Sequence, residues 1–140
     1  MGIQRKDFLV RQFEELGRVI AALLGFRDKG ESERALHYAT DSLKGMLDND
    51  PDYYLSFSDN EFRKNLQELW KPGIAGMEIL SEMLYQLGWI YDDLGKPDVA
   101  SNCFRKVKIT WEVLAEEQGT FNMERNMKQE VLDKYISNHA

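Results

Sequence analysis

Apolar residues recur three and four positions apart along most of this 140-residue chain, broken at a handful of glycines and prolines. That spacing is the stripe of an amphipathic helix and not the alternation of a strand, so it predicts an all-α fold. Phe8, Leu9, Phe13, Leu16, Ile20, Leu23, Leu24 and Phe26 place a first helix over 6–29. Gly30 suits its C-terminal turn, and Ser32 caps a second helix that buries Ala35, Leu36, Ala39, Leu43, Met46 and Leu47. These two form a hairpin over 6–47. Asp48-Asn49-Asp50-Pro51 stops the second helix, and the aromatic connector that follows is expected to pack down over the hairpin. Ser58 and Glu61 form a capping box that opens an insert helix over 58–70. Pro72-Gly73 breaks it, and a second hairpin spans 75–118, turning at Gly95-Lys96-Pro97. A terminal helix over 122–137 carries a narrow stripe of Met127, Val131, Leu132, Tyr135 and Ile136. The whole reads as one domain.

Composition narrows the function. With 43% hydrophobic and 30% charged residues the chain is too apolar to remain disordered. The net charge of −6 is spread without long runs of one sign, and the small basic clusters Arg5-Lys6 and Arg105-Lys106-Lys108 sit among carboxylates as solvated helix faces. No nucleic-acid partner is expected, because tracking phosphates requires clustered cations. The longest apolar stretch, Val19 to Phe26, is too short to span a bilayer, and the first residues carry neither a secretion core nor a myristoylation signal. Cytoplasmic localisation and no membrane partner are the expectation, and a single cysteine fits a reducing compartment.

The densest pattern is Leu84-x2-Leu87-Gly88-x2-Tyr91, then Gly95, then Ala100-x3-Phe104. Gly88 and Ala100 are small where two antiparallel helices would touch, Gly95 makes the turn, and Tyr91 and Phe104 fill the gap. In order and spacing this resembles the tetratricopeptide repeat over about 34 residues, 81–114, with Leu84 in place of the usual tryptophan. Pro97 in the turn and the absence of a closing proline depart from that pattern. Sliding the chain by 65 residues puts Gly30 on Gly95, Ala35 on Ala100 and Phe26 on Tyr91, a degenerate second copy in which Leu23 replaces the packing glycine. The resemblance, which extends to small bacterial repeat-type proteins, implies antiparallel hairpins stacked as a superhelix. Packing convergence in a compact bundle of five to six helices would leave the same signature.

In that family the first helix of each repeat lines a groove that takes peptides or helices. Carried over, the groove residues are Glu82, Tyr85, Gln86, Trp89, Asp92 and Asp93 on one helix and Ile20, Ala21, Leu24, Arg27 and Asp28 on the other. Tyr85 and Trp89 would be its aromatic anchors. The function this implies is a non-catalytic interaction module, an adaptor or regulatory scaffold, binding a protein or peptide partner or its own copy. A homodimer is the expected assembly, since fewer than two good repeats must cover their open faces somehow. The alternative is a helical bundle with an internal pocket for a small ligand, or with a purely structural role.

Catalytic and metal-binding patterns are missing from the sequence. His37 and His139 have no carboxylate three residues before them, as a bundle metal site would want. Cys103 lies next to Phe104 and reads as a packed apolar residue, not a nucleophile. Asp92-Asp93 and Glu116-Glu117 are adjacent on helices, so their carboxylates diverge and read as solvated surface. No enzyme activity, cofactor or metal is expected.

Overall fold

Helix punctuation decides where the chain reverses. A computed structural model describes the backbone of residues 2–119 and 122–140, with the side chains of residues 8, 10–119 and 122–140. The side chains of Arg5, Lys6 and Leu9, and all of Thr120, lie outside the described residues. Helix α1 runs Gly2–Asp28 and α2 Ser32–Leu47. Gly30 holds φ +74°, with its N–H donating to the Arg27 carbonyl (3.0 Å) and that of Glu31 to the Phe26 carbonyl (2.8 Å). This is a Schellman closure, in which two C-terminal carbonyls of the helix recover donors.

After α2 the chain makes one helical turn, α3, Pro51–Leu55. The aromatic connector is therefore itself a short helix, because Asp50 caps it by accepting from the Tyr53 N–H (3.0 Å) and Pro51 needs no donor at the first position. The capping box expected at Ser58 and Glu61 is present and starts α4, Asp59–Lys64. Its continuation, Asn65–Trp70, widens to a π-helix and ends at Lys71 in the left-handed region, φ +42°. Helix α5, Gly73–Asp93, and α6, Pro97–Gln118, form the second hairpin, and α7 runs Met123–Asn138 behind its cap Asn122.

The turn between α5 and α6 repeats that between α1 and α2. Gly95 holds φ +72°, its N–H reaches the Asp92 carbonyl (3.0 Å), and the Lys96 N–H reaches that of Tyr91 (2.9 Å). Every donor and acceptor lies 65 residues after its counterpart. The buried alanines Ala35 and Ala100 follow at the same distance, each donating to the carbonyl four residues back at 3.0 Å.

The fold is all-α, built from antiparallel hairpins, and no strand occurs among the described residues. Helix α5 lies at its centre, packed by α6, by α2 and by α1, while α7 lies on α6 and α4 covers another part of α6. Gly88 sets the distance between α5 and α6: a Cβ there would fall 2.2 Å from Cε1 of the fully buried Phe104.

Three readings of the sequence need correction. Ser32 does not cap α2: it is that helix's first residue, behind Glu31, and its hydroxyl donates to Asp93 Oδ2 instead. Lys106 is not on a solvated face; it is buried, donating from Nζ to Asn102 Oδ1 (2.6 Å) and to Asp59 Oδ1 (3.4 Å), which ties α6 to the start of α4. Burial pushes its pKa down while Asp59 pulls it back. Its neighbours also have partners, Arg105 with Asp59 and Lys108 with Asp133. The apolar stripe of α1 is not uniformly covered either: Leu16, Val19 and Leu23 are core, whereas Phe8, Val10, Phe13 and Leu24 are exposed. Helix α1 has 27 residues and its partner α2 only 16, so the first part of α1 extends past what α2 can shield.

Candidate interaction groove

On α5, residues Glu82, Gln86, Trp89 and Asp93 fall on one face by helical spacing, with Glu78, Tyr85 and Asp92 beside them. Two neighbours identify where that face lies. Asp93 belongs to α1: its Oδ2 accepts from Arg27 Nε (2.7 Å) and from Ser32 Oγ (3.1 Å), and its Oδ1 accepts from Arg27 Nη2 (3.3 Å). The Arg27 bond holds the Asp93 carboxyl below its ordinary pKa. The other flank belongs to α7. Tyr135 donates its hydroxyl to Asp92 Oδ1 (2.7 Å) and meets Trp89 edge-on at 5.7 Å, Lys128 Nζ sits 5.0 Å over the Tyr85 ring, and Arg125 pairs with Glu78 (3.4 Å). Burial, then the hydrogen bond to Asp92 and its charge, pushes the Tyr135 phenol well up.

Helix α5 is thus the floor of a trough whose walls are α1 and α7. Arg27 marks the edge of α1 that faces α5, and one step round the helix from it stand Phe13, Ile20 and Leu24. Leu24 is 45% exposed and Phe13 39%. On α7, Leu132 and Tyr135 face inward, and Met123, Met127 and Val131, spaced four apart, stand round the helix on the side away from α6. All three are at least half exposed. Exposed apolar side chains thus stand on both of the helices bonded to α5, and exposed apolar surface of this kind marks an interaction site.

The floor is more enclosed than the sequence implied. Tyr85 and Trp89 are half-buried, Trp89 lying 4.8 Å from the Phe104 ring and Tyr85 6.1 Å from Trp111. Asp92 is half-buried and accepts from Tyr135 of α7, whereas Asp93 stays exposed as expected and pairs there with Arg27 of α1. Gln86 is only 7% exposed, and its Oε1 is buried without a hydrogen-bond partner. The Glu82 carboxyl titrates above its ordinary value, because desolvation outweighs the attraction of Lys128 and Arg125. Ile20 is half-buried, and Ala21 and Asp28 are exposed.

Of the expected groove residues, Leu24 and Asp93 line one shallow cleft with Arg27 and Ser32, while Glu82, Tyr85, Gln86, Trp89 and Asp92 occupy the adjoining part of α5 and Ile20 lies half-buried on α1. Sequence reasoning missed the trough's second wall. Met127 and Val131 do not share the core stripe of α7: Met123-Met127-Val131 is a separate stripe from Leu132-Tyr135-Ile136, turned more than a third of a circle from it. Two apolar stripes on one otherwise charged helix were the available signal.

Among the described residues no group of three or more His, Cys, Asp or Glu is placed to hold a metal ion, and no helix is long and apolar enough to cross a membrane. Cys103 is buried in the core, which pushes its thiol up to about 12. Comparison with protein-family models, curated proteins and solved structures finds no match for this chain.

Proposed function

We propose that the chain is a non-catalytic protein-interaction module of the tetratricopeptide type, whose trough over α5 receives an amphipathic helix. The observation that carries this reading is the set of exposed apolar side chains, Phe13 and Leu24 on α1 and Met127 and Val131 on α7, on the two helices bonded to α5 through Arg27–Asp93 and Tyr135–Asp92. The repeat kinship is supported by the two Schellman turns with identical bonding 65 residues apart, and by the Gly88–Phe104 approach at the position where the family's pattern is small. The order of contacts, α1 with α2, α2 with α5, α5 with α6 and α6 with α7, is also what successive stacked hairpins would give. A second copy of the chain brings its own exposed α1 and α7 faces and is the partner the surface fits most simply.

Light scattering across a concentration series tests this. The wild type should reach twice the 16.3 kDa of one chain. Leu24→Glu and Met127→Glu lie at exposed positions, so each should keep its helical content and melting temperature while remaining a monomer. A wild type that stays monomeric removes the second copy as partner, and a dimer that neither variant weakens removes the trough.

A further inference from the structure

Leu80, with Gly76 one turn before it, lies more than a third of a turn round α5 from Glu82 and Asp93. There the end of α2, α3, the π turn and the start of α5 leave a cleft of about 210 Å³. Its walls are the rings of Tyr54, Trp70 and Pro72 and the side chains of Leu47 and Leu80, and Asn49 supplies an amide at its edge. No charged side chain lines it.

The walls are fixed. Trp70 donates its indole N–H to the Tyr53 hydroxyl (3.0 Å) and is met edge-on by Tyr54, Phe57 and Phe62 at 5.5, 5.3 and 5.6 Å. The indole is therefore a rigid wall and not a plug that swings in. Pro72 closes against α5 only because residue 76 is glycine: a Cβ there would come 2.7 Å from Pro72 Cβ. The backbone carrying Trp70 is unusual as well, a π turn followed by Lys71 at φ +42° and Gly73 at φ +77°. A π turn and a left-handed non-glycine residue are costly local choices that concentrate at binding sites.

We propose that this cleft binds a small uncharged aromatic molecule, one ring or a fused pair, with a hydrogen-bonding group turned toward Asn49. Size and lining together specify that class. An apolar cavity of about 150 Å³ holds benzene, so this one has room for a further ring or a polar substituent. A charged ligand would lose its hydration with nothing in the lining to replace it.

Indole is the probe, added to the full ¹⁵N-labelled chain while the Trp70 indole N–H resonance is followed. A saturable shift with a Kd of about a millimolar or tighter is expected. Leu47→Trp, which fills the cleft, should weaken binding by at least about tenfold, and Leu69→Ala, exposed on the same π turn, should leave it within about twofold. Cyclohexanol should bind more weakly than phenol. If Leu47→Trp unfolds the chain, Asn49→Leu at its half-buried loop position gives the decision by the same loss. The proposal is overturned by the absence of saturation up to the solubility of indole, by binding that neither Leu47→Trp nor Asn49→Leu weakens, or by cyclohexanol binding as well as phenol. None of these results touches the trough, which shares no residue with this cleft.

Discussion

Replacing Gly88 by alanine probes the contact on which the central hairpin depends. The added Cβ would lie 2.2 Å from Phe104 Cε1 and 2.7 Å from both Cδ1 and Cζ. Carbon atoms rest at about 3.5–4 Å, so the ring or the helix must shift by more than about 1 Å. The ring is not free to do so. Phe104 is fully buried, with Trp89 at 4.8 Å on one side and Tyr135 at 5.0 Å on another. Overpacking of this kind costs roughly 1–3 kcal/mol and occasionally more, and exchanging glycine for alanine inside a helix returns about 1 kcal/mol. With so close an approach the first effect wins, and a net loss of about 2 kcal/mol is expected. For a chain of this length that lowers the melting temperature by about 7 °C, taking the usual unfolding entropy per residue. Gly45 provides the control, since it is exposed inside α2 and a Cβ there meets nothing within 4 Å. Gly45→Ala should raise the melting temperature by about 2–3 °C. Thermal unfolding followed by circular dichroism reads both. In a Phe104→Leu background, the cost of Gly88→Ala should fall by at least about half. If Gly88→Ala stabilises as Gly45→Ala does, the claim that this crossing sets the helix spacing is wrong.

Glu82 carries a desolvated carboxylate, and its folded pKa lies above the unfolded one. The folded state therefore keeps its proton longer, and stability falls as pH rises from about 4.5 through the raised value. Glu82→Gln should accordingly raise the melting temperature by about 1–3 °C at pH 7 and leave it unchanged at pH 4; equal effects at both would rule out this titration. Cys103, buried with its thiol near 12, should react with a thiol reagent only at the rate of global unfolding, and fast labelling of the native chain would contradict its core position. Tyr135→Phe removes the bond to Asp92 and should cost about 1 kcal/mol. It should quicken amide exchange in α7 more than in α5, whereas uniform quickening would mean that α7 is not held by this contact.

What the sequence determined alone is the long helices and their turns, though not the one-turn helix over Pro51–Leu55 or the π-helix over Asn65–Trp70. Gly30, Gly95 and Gly119 are needed where a helix ends in the left-handed region, Ser58 and Glu61 cap through their own side chains, and the apolar period is set by bonds four residues long. All of that is local physics, readable without knowing where any helix goes. The small-residue pattern at Gly88 and Ala100 reached one step further, because steric fit between adjacent helices leaves a mark on residue size. Which surfaces stay open depended on tertiary structure. Asp92 looks like a solvated acid until Tyr135, 43 residues on, is brought over it, and Asp93, which does stay exposed, gives no local sign that Arg27, 66 residues back, pairs with it. Lys106 looks like surface until Asp59 and Asn102 enclose it. Met127 and Val131 look like core until α7 turns Leu132 and Tyr135 inward instead. In each case the side chain's type is compatible with either environment, and the choice is made by partners distant in the chain, whose positions no local interaction encodes.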